Sequence, residues 1–583
     1  MKKAVLMILL VVAAISLCFG QSVHYNAGTY IGAAQGMGGE VKVEIVFSDS
    51  SITSIRILSQ KETPSIAGPA IERIPADIVK YQSLGVDSVT GATTTSKAII
   101  NAIADAVSKA GGNVAALKAA KVSKEKKQIA NIEITADVVV IGAGGAGLAA
   151  AVEAKDKGVQ KVVLLEKMAS IGGTTFISQG LIGAYDSKLA KKLGVKLTYE
   201  AMYDNLMNNA KYRLDPVLSE ITIRKSGETI DWLQERVKVP FINDIAIGYG
   251  PLKMMHMVVG GGIGFQKPFL TLVKELGIDL MLETKATEIL LDTKSNVRGV
   301  KASKDGSELT ILAKAVVVAT GGYSNNPVLT AILDPEKEGT MGIGFTGATG
   351  DGIIMANNIG AALTHMNHMM FVLKDYEIMT KHNGTSNTAN VSRFIAAPNC
   401  ILVGKDGKRF VDEKSGGYMT QELNSPVFNQ MNKDRLGYVW AISDEAALKN
   451  LKVSRGLDME FISAPTPEAL AEKMGLDPSA LAKTIADYNE YAKAGFDKEF
   501  KRTQLATIGA PYVAVSVMPC EIITYGGVAR NRKTEVLRAD GNVIPGLYVA
   551  GEAGGNSAYM GFTLSNAFTW GRIAGANAAE FIK

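Results

Sequence analysis

Three uninterrupted apolar runs in this chain stop at small residues. They are Val138–Ile141 before Gly142, Ala315–Val318 before Ala319-Thr320-Gly321-Gly322, and Gly546–Val549 before Ala550-Gly551-Glu552. Short apolar runs bounded by glycine read as strands buried on both faces, the habit of a parallel sheet. The first run leads into Ala146-Gly147-Leu148-Ala149-Ala150-Ala151, a small-residue helix, and then into a second apolar strand, Lys161–Leu165. The N-terminal part has a different period. Val41–Phe47 alternates apolar and polar positions, Ser48-Asp49-Ser50 makes a turn, and Ile52–Leu58 is its hairpin partner. A strand begins at Gly28–Gly32, and a helix is expected from Lys97 to about Lys109. At the start, Lys2-Lys3 precede an apolar run from Ala4 to Phe19 and a small residue, Gly20. This is the layout of an export signal cleaved after Gly20. A lipid anchor on Cys18 and an uncleaved membrane anchor remain open; all three place the body outside the cytoplasm.

The glycines after the first strand carry specific chemistry. Gly142, Gly144 and Gly147 fill G-x-G-x-x-G between a strand and a helix. The first permits the turn, the second lets backbone approach a pyrophosphate, and the third lets helix pack on strand. Glu166, at the end of the next strand, stands where a carboxylate takes ribose hydroxyls.

Composition narrows the partners. The 583 residues suffice for two to four domains, and 47% hydrophobic with 20% charged residues describes a globular protein. The net charge of +5 falls to +3 without Lys2 and Lys3, too little and too dispersed for nucleic acid. Only Cys400 and Cys520 remain after the leader, and no C-x-x-C-H attaches haem. His365 and His368 could share a helix face, but no acidic or cysteine cluster accompanies them, so no metal is expected.

Asp87, Thr90, Gly91, Ala92 and Thr93 form D-x-x-S/T-G-A-T before the helix. This unit resembles the FMN-binding domain of flavin-carrying respiratory subunits. The resemblance implies FMN esterified through its phosphate to Thr93 by a dedicated transferase outside the cytoplasm. Thr94 and Thr95 are adjacent hydroxyls, so the register has neighbours.

From Asp137 onward the chain resembles the flavoprotein family of fumarate reductase and succinate dehydrogenase, in particular its soluble extracytoplasmic members of the flavocytochrome c fumarate reductase and urocanate reductase type. The segments that carry this are the three strand–glycine motifs, Gly347-Ala348-Thr349-Gly350-Asp351-Gly352, and Thr563–Gly571. The implied fold is α/β: a Rossmann-like FAD-binding domain (134–368 and 518–583) with an inserted α+β capping domain (369–517). A small α+β FMN-binding domain (25–115) and a linker (116–133) precede it, after a signal peptide (1–20). The resemblance implies FAD held by Gly142, Gly144, Gly147, Glu166, Gly173, Thr174, Thr175, Gly180, Thr320, Gly321, Asp351, Glu552 and Ser565. With no histidine in Gly172–Phe176, that FAD is expected to be noncovalent.

By the same resemblance, Arg409 in Gly407-Lys408-Arg409-Phe410 delivers a proton opposite the hydride from FAD. The departures from the family are informative. Asn556–Gly561 has no second arginine, Ile522 and Ile523 replace histidines, Met370-Phe371-Val372 is apolar, and Arg393 and Ala396 replace a relay glutamate and arginine. Such a pocket disfavours a dicarboxylate. The expected substrate is an α,β-unsaturated monocarboxylate or ketone with an apolar or aromatic part. Arg393 is the expected fork for its carboxylate. Tyr525 and Tyr559 either bond a substrate oxygen or pack, and His256 either lines the pocket or belongs to the core. The implied electron source is a membrane quinol or flavin-reducing chain, relayed through FMN in anaerobic respiration, in the periplasm or at the cell surface. Fumarate or urocanate reduction proper and a ketosteroid-type FAD dehydrogenase are the alternative activities; a pure electron carrier is a third.

Overall fold

The computed structural model describes residues 24–120, 122, 131–248, 250–381, 391–415, 421–449 and 461–583. The signal segment, Cys18, the linker lysines 121, 124, 126 and 127, and His382 lie outside them. The chain divides into two compact units, Met1–Lys126 and Lys127–Lys583.

In the first unit, Gly28–Gln35, Glu40–Phe47 and Ile52–Ser59 form an antiparallel meander. Val41, Val43, Ile45 and Phe47 are buried, as the alternation requires. The helices Pro64–Tyr81 and Thr93–Lys109 pack on this sheet. The first escaped the sequence reading because Pro69 and Pro75 interrupt its pattern. The second starts at Thr93, four residues before the expected Lys97.

The second unit is built on a six-stranded sheet in the order Asp279–Met281, Val162–Leu165, Val138–Ile141, Ala315–Val318, Val543–Val549, Glu535–Leu537. All neighbours are parallel except the last pair. The three glycine-ended strands are therefore adjacent, with Val316 opposite both Val139 and Leu547. Their carboxyl ends open on one edge, where a doubly wound sheet binds its ligand. Helix Thr563–Phe581 lies against helix Gly145–Asp156. A Cβ on Gly575 would stand 2.2 Å from the Ala150 carbonyl, so only glycine permits this approach.

The expected capping segment contributes a second six-stranded sheet. Its long strand, Tyr512–Thr524, pairs with Met369–Asp375, Val439–Asp444 and Ile462–Ala464. Apolar clusters cover both faces, one around Phe394, Leu423 and Val427, the other around Leu470, Ile485 and Tyr488. The same strand runs on to Ile523 and Thr524, carrying the sheet to the flavin-site edge. Asn131–Thr135, which begins in the expected linker and crosses into the expected FAD-binding domain, is a strand parallel to Ser307–Leu312. Cys400 and Cys520 are buried thiols, both pushed up to about 12 by burial.

Candidate active site: a flavin cleft bordered by tyrosines

A cleft opens at the carboxyl edge of the parallel sheet. Its wall includes Gly142, Gly144, Glu166, Gly173, Thr174, Thr175, Thr320, Gly321, Asp351 and Glu552, all expected cofactor residues. The three glycines of the turn divide their work. Gly142 has φ +99°, and a Cβ there would meet the Ala319 carbonyl at 2.5 Å. A Cβ on Gly147 would stand 1.8 Å from the Gly142 carbonyl, so this glycine seats the helix and does not line the cleft. At Gly144 the nearest protein atom to a Cβ is 3.8 Å away, leaving backbone open to a ligand.

Glu166 is 7% exposed and accepts from the Ala143 and Met168 amides, both at 2.9 Å. Burial pushes its carboxyl up, while the amides and Lys167 oppose the rise. Asp351 opens helix Asp351–Asn358 and pairs with Lys167 at 2.5 Å and Lys285 at 3.2 Å. Burial opposes its ionisation, but these cations outweigh it and hold the carboxyl low. Glu552 accepts from the Thr524 amide and hydroxyl at 2.9 and 3.0 Å. Thr320 Oγ1 is buried without a partner in the cleft wall. That orphaned hydroxyl, the open backbone at Gly144 and the carboxylate at Glu166 fit FAD: pyrophosphate at the glycine turn, ribose at Glu166.

Besides Gly147, two more of the expected cofactor residues lie away from the wall. Gly180 (φ +69°) serves a close backbone crossing: a Cβ there would meet Gly261 at 2.6 Å. Ser565 is buried and donates to the Gly183 carbonyl, tying the C-terminal helix to strand Leu181–Gly183. Neither lines the cleft; Thr563, Leu564, Asn566 and Ala567 of that helix do.

The far end of the cleft is aromatic. Tyr525 lines it, and Tyr559 packs against Tyr525 with ring centroids 4.6 Å apart and the planes tilted by 33°. His368 completes the group, 4.9 Å from Tyr525 and 5.8 Å from Tyr559. Burial, with help from the Arg213 and His365 charges, pulls its ring down to about 4, so it is neutral at pH 7. Its Nδ1 is buried without a partner. The sequence singled out His368 only as a rejected metal ligand; nothing local announces that Tyr525 and Tyr559, 157 and 191 positions away, pack against it. Met255, Met370 and Phe562 pack around the tyrosines.

Three other candidates, His256, Arg393 and Arg409, lie away from the wall. His256 belongs to the core: it is fully buried, with Nε2 2.7 Å from Ser187 Oγ and Nδ1 3.2 Å from the Met254 carbonyl. Arg393 is exposed on the short turn Ser392–Ile395 and is not in the cleft wall. Arg409 is enclosed, its side chain 2% exposed, and is not in the wall either. It donates to Glu413 through Nε (2.9 Å) and Nη2 (2.8 Å), and Nη1 lies 2.8 Å from Asp497 Oδ2. Arg502 Nη1 donates to the same Glu413 Oε2 at 2.9 Å. Burial alone would make Arg409 more acidic, but the two carboxylates outweigh it and raise its pKa. A guanidinium so held is a poor proton donor.

In the first unit, Thr93 is exposed at the first turn of its helix, after Gly91 at φ +83°. Thr95 donates to the buried carboxylate of Glu62, which also accepts from the Gly38 amide at 2.7 Å. Ser96 Oγ accepts from the Val89 amide at 3.0 Å. Two of the four hydroxyls are thus committed to the fold, leaving Thr93 and Thr94 outward.

These features define a flavoprotein oxidoreductase. Residues 137–564 match the FAD binding domain family and residues 36–108 the FMN-binding domain; the chain belongs to this FAD-binding flavoprotein family. It is 30% identical to the urocanate reductase of Eggerthella lenta, over 95% of this chain and 92% of that protein. It is 30% identical to the NADH:acrylate oxidoreductase of Vibrio harveyi, over 96% of this chain but 62% of that protein's length. Among solved structures, an open conformation of a flavocytochrome c3 fumarate reductase aligns with TM-score 0.66 and 28% identity, covering 80% of this chain and 84% of that one. A 3-ketosteroid Δ4-(5α)-dehydrogenase from Rhodococcus jostii, in complex with 4-androstene-3,17-dione, aligns with TM-score 0.61 and 26% identity, covering 78% and 98%.

Proposed function

We propose that this protein is an exported reductase of an activated carbon–carbon double bond, acting on an α,β-unsaturated monocarboxylate or ketone with an apolar part. The reductase names of relatives matched along nearly the whole chain support the reaction class. The observation that carries the substrate reading is the charge of the cleft wall. Its cations among the described residues are Lys167 and Lys285, and both pair with Asp351. The tyrosine end therefore offers apolar surface, with no unpaired cation in the wall among the described residues, which weighs more heavily against the two charges of a dicarboxylate than against a single carboxylate or a neutral ketone.

FAD, when bound, supplies the hydride. The chain's own residues do the rest. Tyr525, the one of the pair in the wall, turns its hydroxyl from Met370 Sδ (3.2 Å) to the substrate oxygen, where negative charge develops, and Tyr559 supports it from behind the wall. We assign the proton to this pair, with neutral His368 behind it as the acceptor and donor that restores it. Arg393 lies outside the wall, so the reading does not lean on it.

Electrons enter, in this proposal, through FMN esterified to Thr93 by a transferase outside the cytoplasm, from a membrane quinol or flavin-reducing chain in anaerobic respiration. FAD is held without a covalent bond. Export rests on Lys2-Lys3, the apolar run to Phe19 and Gly20.

The test is turnover with reduced viologen on acrylate, fumarate, urocanate and alkyl- or aryl-substituted enoates. Substituted monocarboxylates should turn over faster than fumarate, and Tyr559→Phe should lower kcat about 100-fold at unchanged flavin content. The tyrosine pair also suits a ketone, which favours ketosteroid oxidation as a second reading. Oxidation of a steroid with an acceptor dye, and no enoate reduction, would establish that one instead.

A further inference from the structure

Arg530 is a buried cation with no counter-ion among the described residues. The residue is 6% exposed, and its guanidinium stacks 3.8 Å over the Trp570 ring. Nη2 donates to Ser557 Oγ at 2.7 Å, and that hydroxyl donates to Asn566 Oδ1 at 2.5 Å. Nε and Nη1 are buried with no hydrogen-bond partner. No carboxylate among the described residues lies within ion-pair distance. Burial pulls the guanidinium down to about 9, opposed by the more distant charge of Asp215.

The seat is built for this side chain. A Cβ on Gly554 would stand 2.9 Å from Arg530 Nε, so a larger residue there would displace the guanidinium. An enclosed charge with two idle donors is costly unless negative charge arrives nearby. Gly554, Ser557 and Asn566 all line the FAD cleft. The nucleotide half of FAD belongs at the glycine turn and Glu166, so these residues border the half that holds the redox-active ring. Ser557 and Asn566 stand between Arg530 and the cleft, so the guanidinium acts through space on the cleft's occupant and does not touch the substrate.

We propose that Arg530 is the counter-charge for the electrons placed on bound FAD, a positioning residue that raises the FAD midpoint potential from behind the Ser557–Asn566 wall. Reduction adds negative charge to the ring, and a fixed positive charge in a low-dielectric wall favours the reduced form. This holds whichever substrate accepts the electrons, so it stands apart from the double-bond reading.

The experiment is a spectroelectrochemical titration of the two-flavin protein, wild type against Arg530→Met, Arg530→Gln and Arg530→Lys, with FMN as the internal reference. Met and Gln should lower the equilibrium constant for FAD reduction at least tenfold, about 30 mV for a two-electron couple. Lys should retain most of the wild-type value, and FMN should not move. Gln keeps a donor for Ser557 and serves where Met fails to fold. A neutral variant that holds FAD at the wild-type potential overturns the proposal. So does a Lys variant that loses as much as Gln, because geometry and not charge would then be responsible. Unchanged potential with weakened binding of a carboxylate inhibitor would also overturn it, assigning the charge to substrate recognition.

Discussion

Arg409 closes on Glu413 through two N–H bonds of 2.9 and 2.8 Å, in a place where neither side chain reaches solvent. The pair joins a turn to the edge of the capping sheet, since Glu413 Oε1 also accepts the Leu402 amide at 3.0 Å. Removing one partner leaves buried carboxylates unbalanced. Arg409→Met should therefore cost about 3–5 kcal/mol of stability, read as a lower urea midpoint at constant slope. Arg409→Lys should cost less but still lose the bidentate geometry. Full stability with abolished turnover would return Arg409 to the chemistry.

The glycine turn separates folding from binding. Gly147→Ala drives a Cβ into the Gly142 carbonyl and should destabilise the flavin-free protein by about 2–4 kcal/mol. Gly144→Ala meets only open space at an ordinary φ of −77°, so its flavin-free melting temperature should match wild type. Its FAD affinity, followed by flavin fluorescence, should fall at least about tenfold, because the methyl occupies the pyrophosphate's approach. Equal melting temperatures for the two variants would refute this division.

Protein expressed with the flavin transferase should gain the mass of one FMN, and Thr93→Val should abolish that gain. Thr95→Val should instead disturb the fold, because its hydroxyl is bonded to Glu62. Intact mass and a thermal melt on each variant distinguish the two roles. An FMN adduct that survives in Thr93→Val would move the attachment to the neighbouring exposed Thr94.

Glu521 is fully buried; its Oε2 accepts from Thr330 at 2.7 Å and its Oε1 has no partner. Burial pushes its carboxyl up to about 8, with Glu552 adding to the rise. The folded protein thus holds this proton where the unfolded chain, near the ordinary 4.5, has released it. Stability is lost as pH rises from about 4.5 to about 8 and is flat above. Glu521→Gln should remove that loss, so its advantage in thermal or urea melts should be about 1 kcal/mol or less at pH 5 and grow to roughly 4 kcal/mol by pH 8. An advantage equal at both values would show that ionisation is not the cause.

The apolar runs ending in glycine, the G-x-G-x-x-G turn and the position of Glu166 were all legible in the sequence. Each depends on neighbours within a few residues, and strand burial, turn geometry and helix packing are set at that range. The threonine motif before the second helix is local in the same way. What the sequence misjudged was set by distance. Arg409 has a reactive-looking context in its own segment, but Asp497 and Arg502, 88 and 93 residues later, make it a closed structural centre. His256 meets Ser187 across a sheet, and Ser565 finds the Gly183 carbonyl. His368, Tyr525 and Tyr559 become one group only when Tyr512–Thr524 pairs with Met369–Asp375 and the C-terminal loop folds over them. The sequence by itself determined that two flavin-binding units exist and where a nucleotide enters. Which charged and aromatic side chains face the reacting end, and which are spent on the core, was decided by tertiary structure alone, because burial and partnership are properties of the packed molecule and not of any segment.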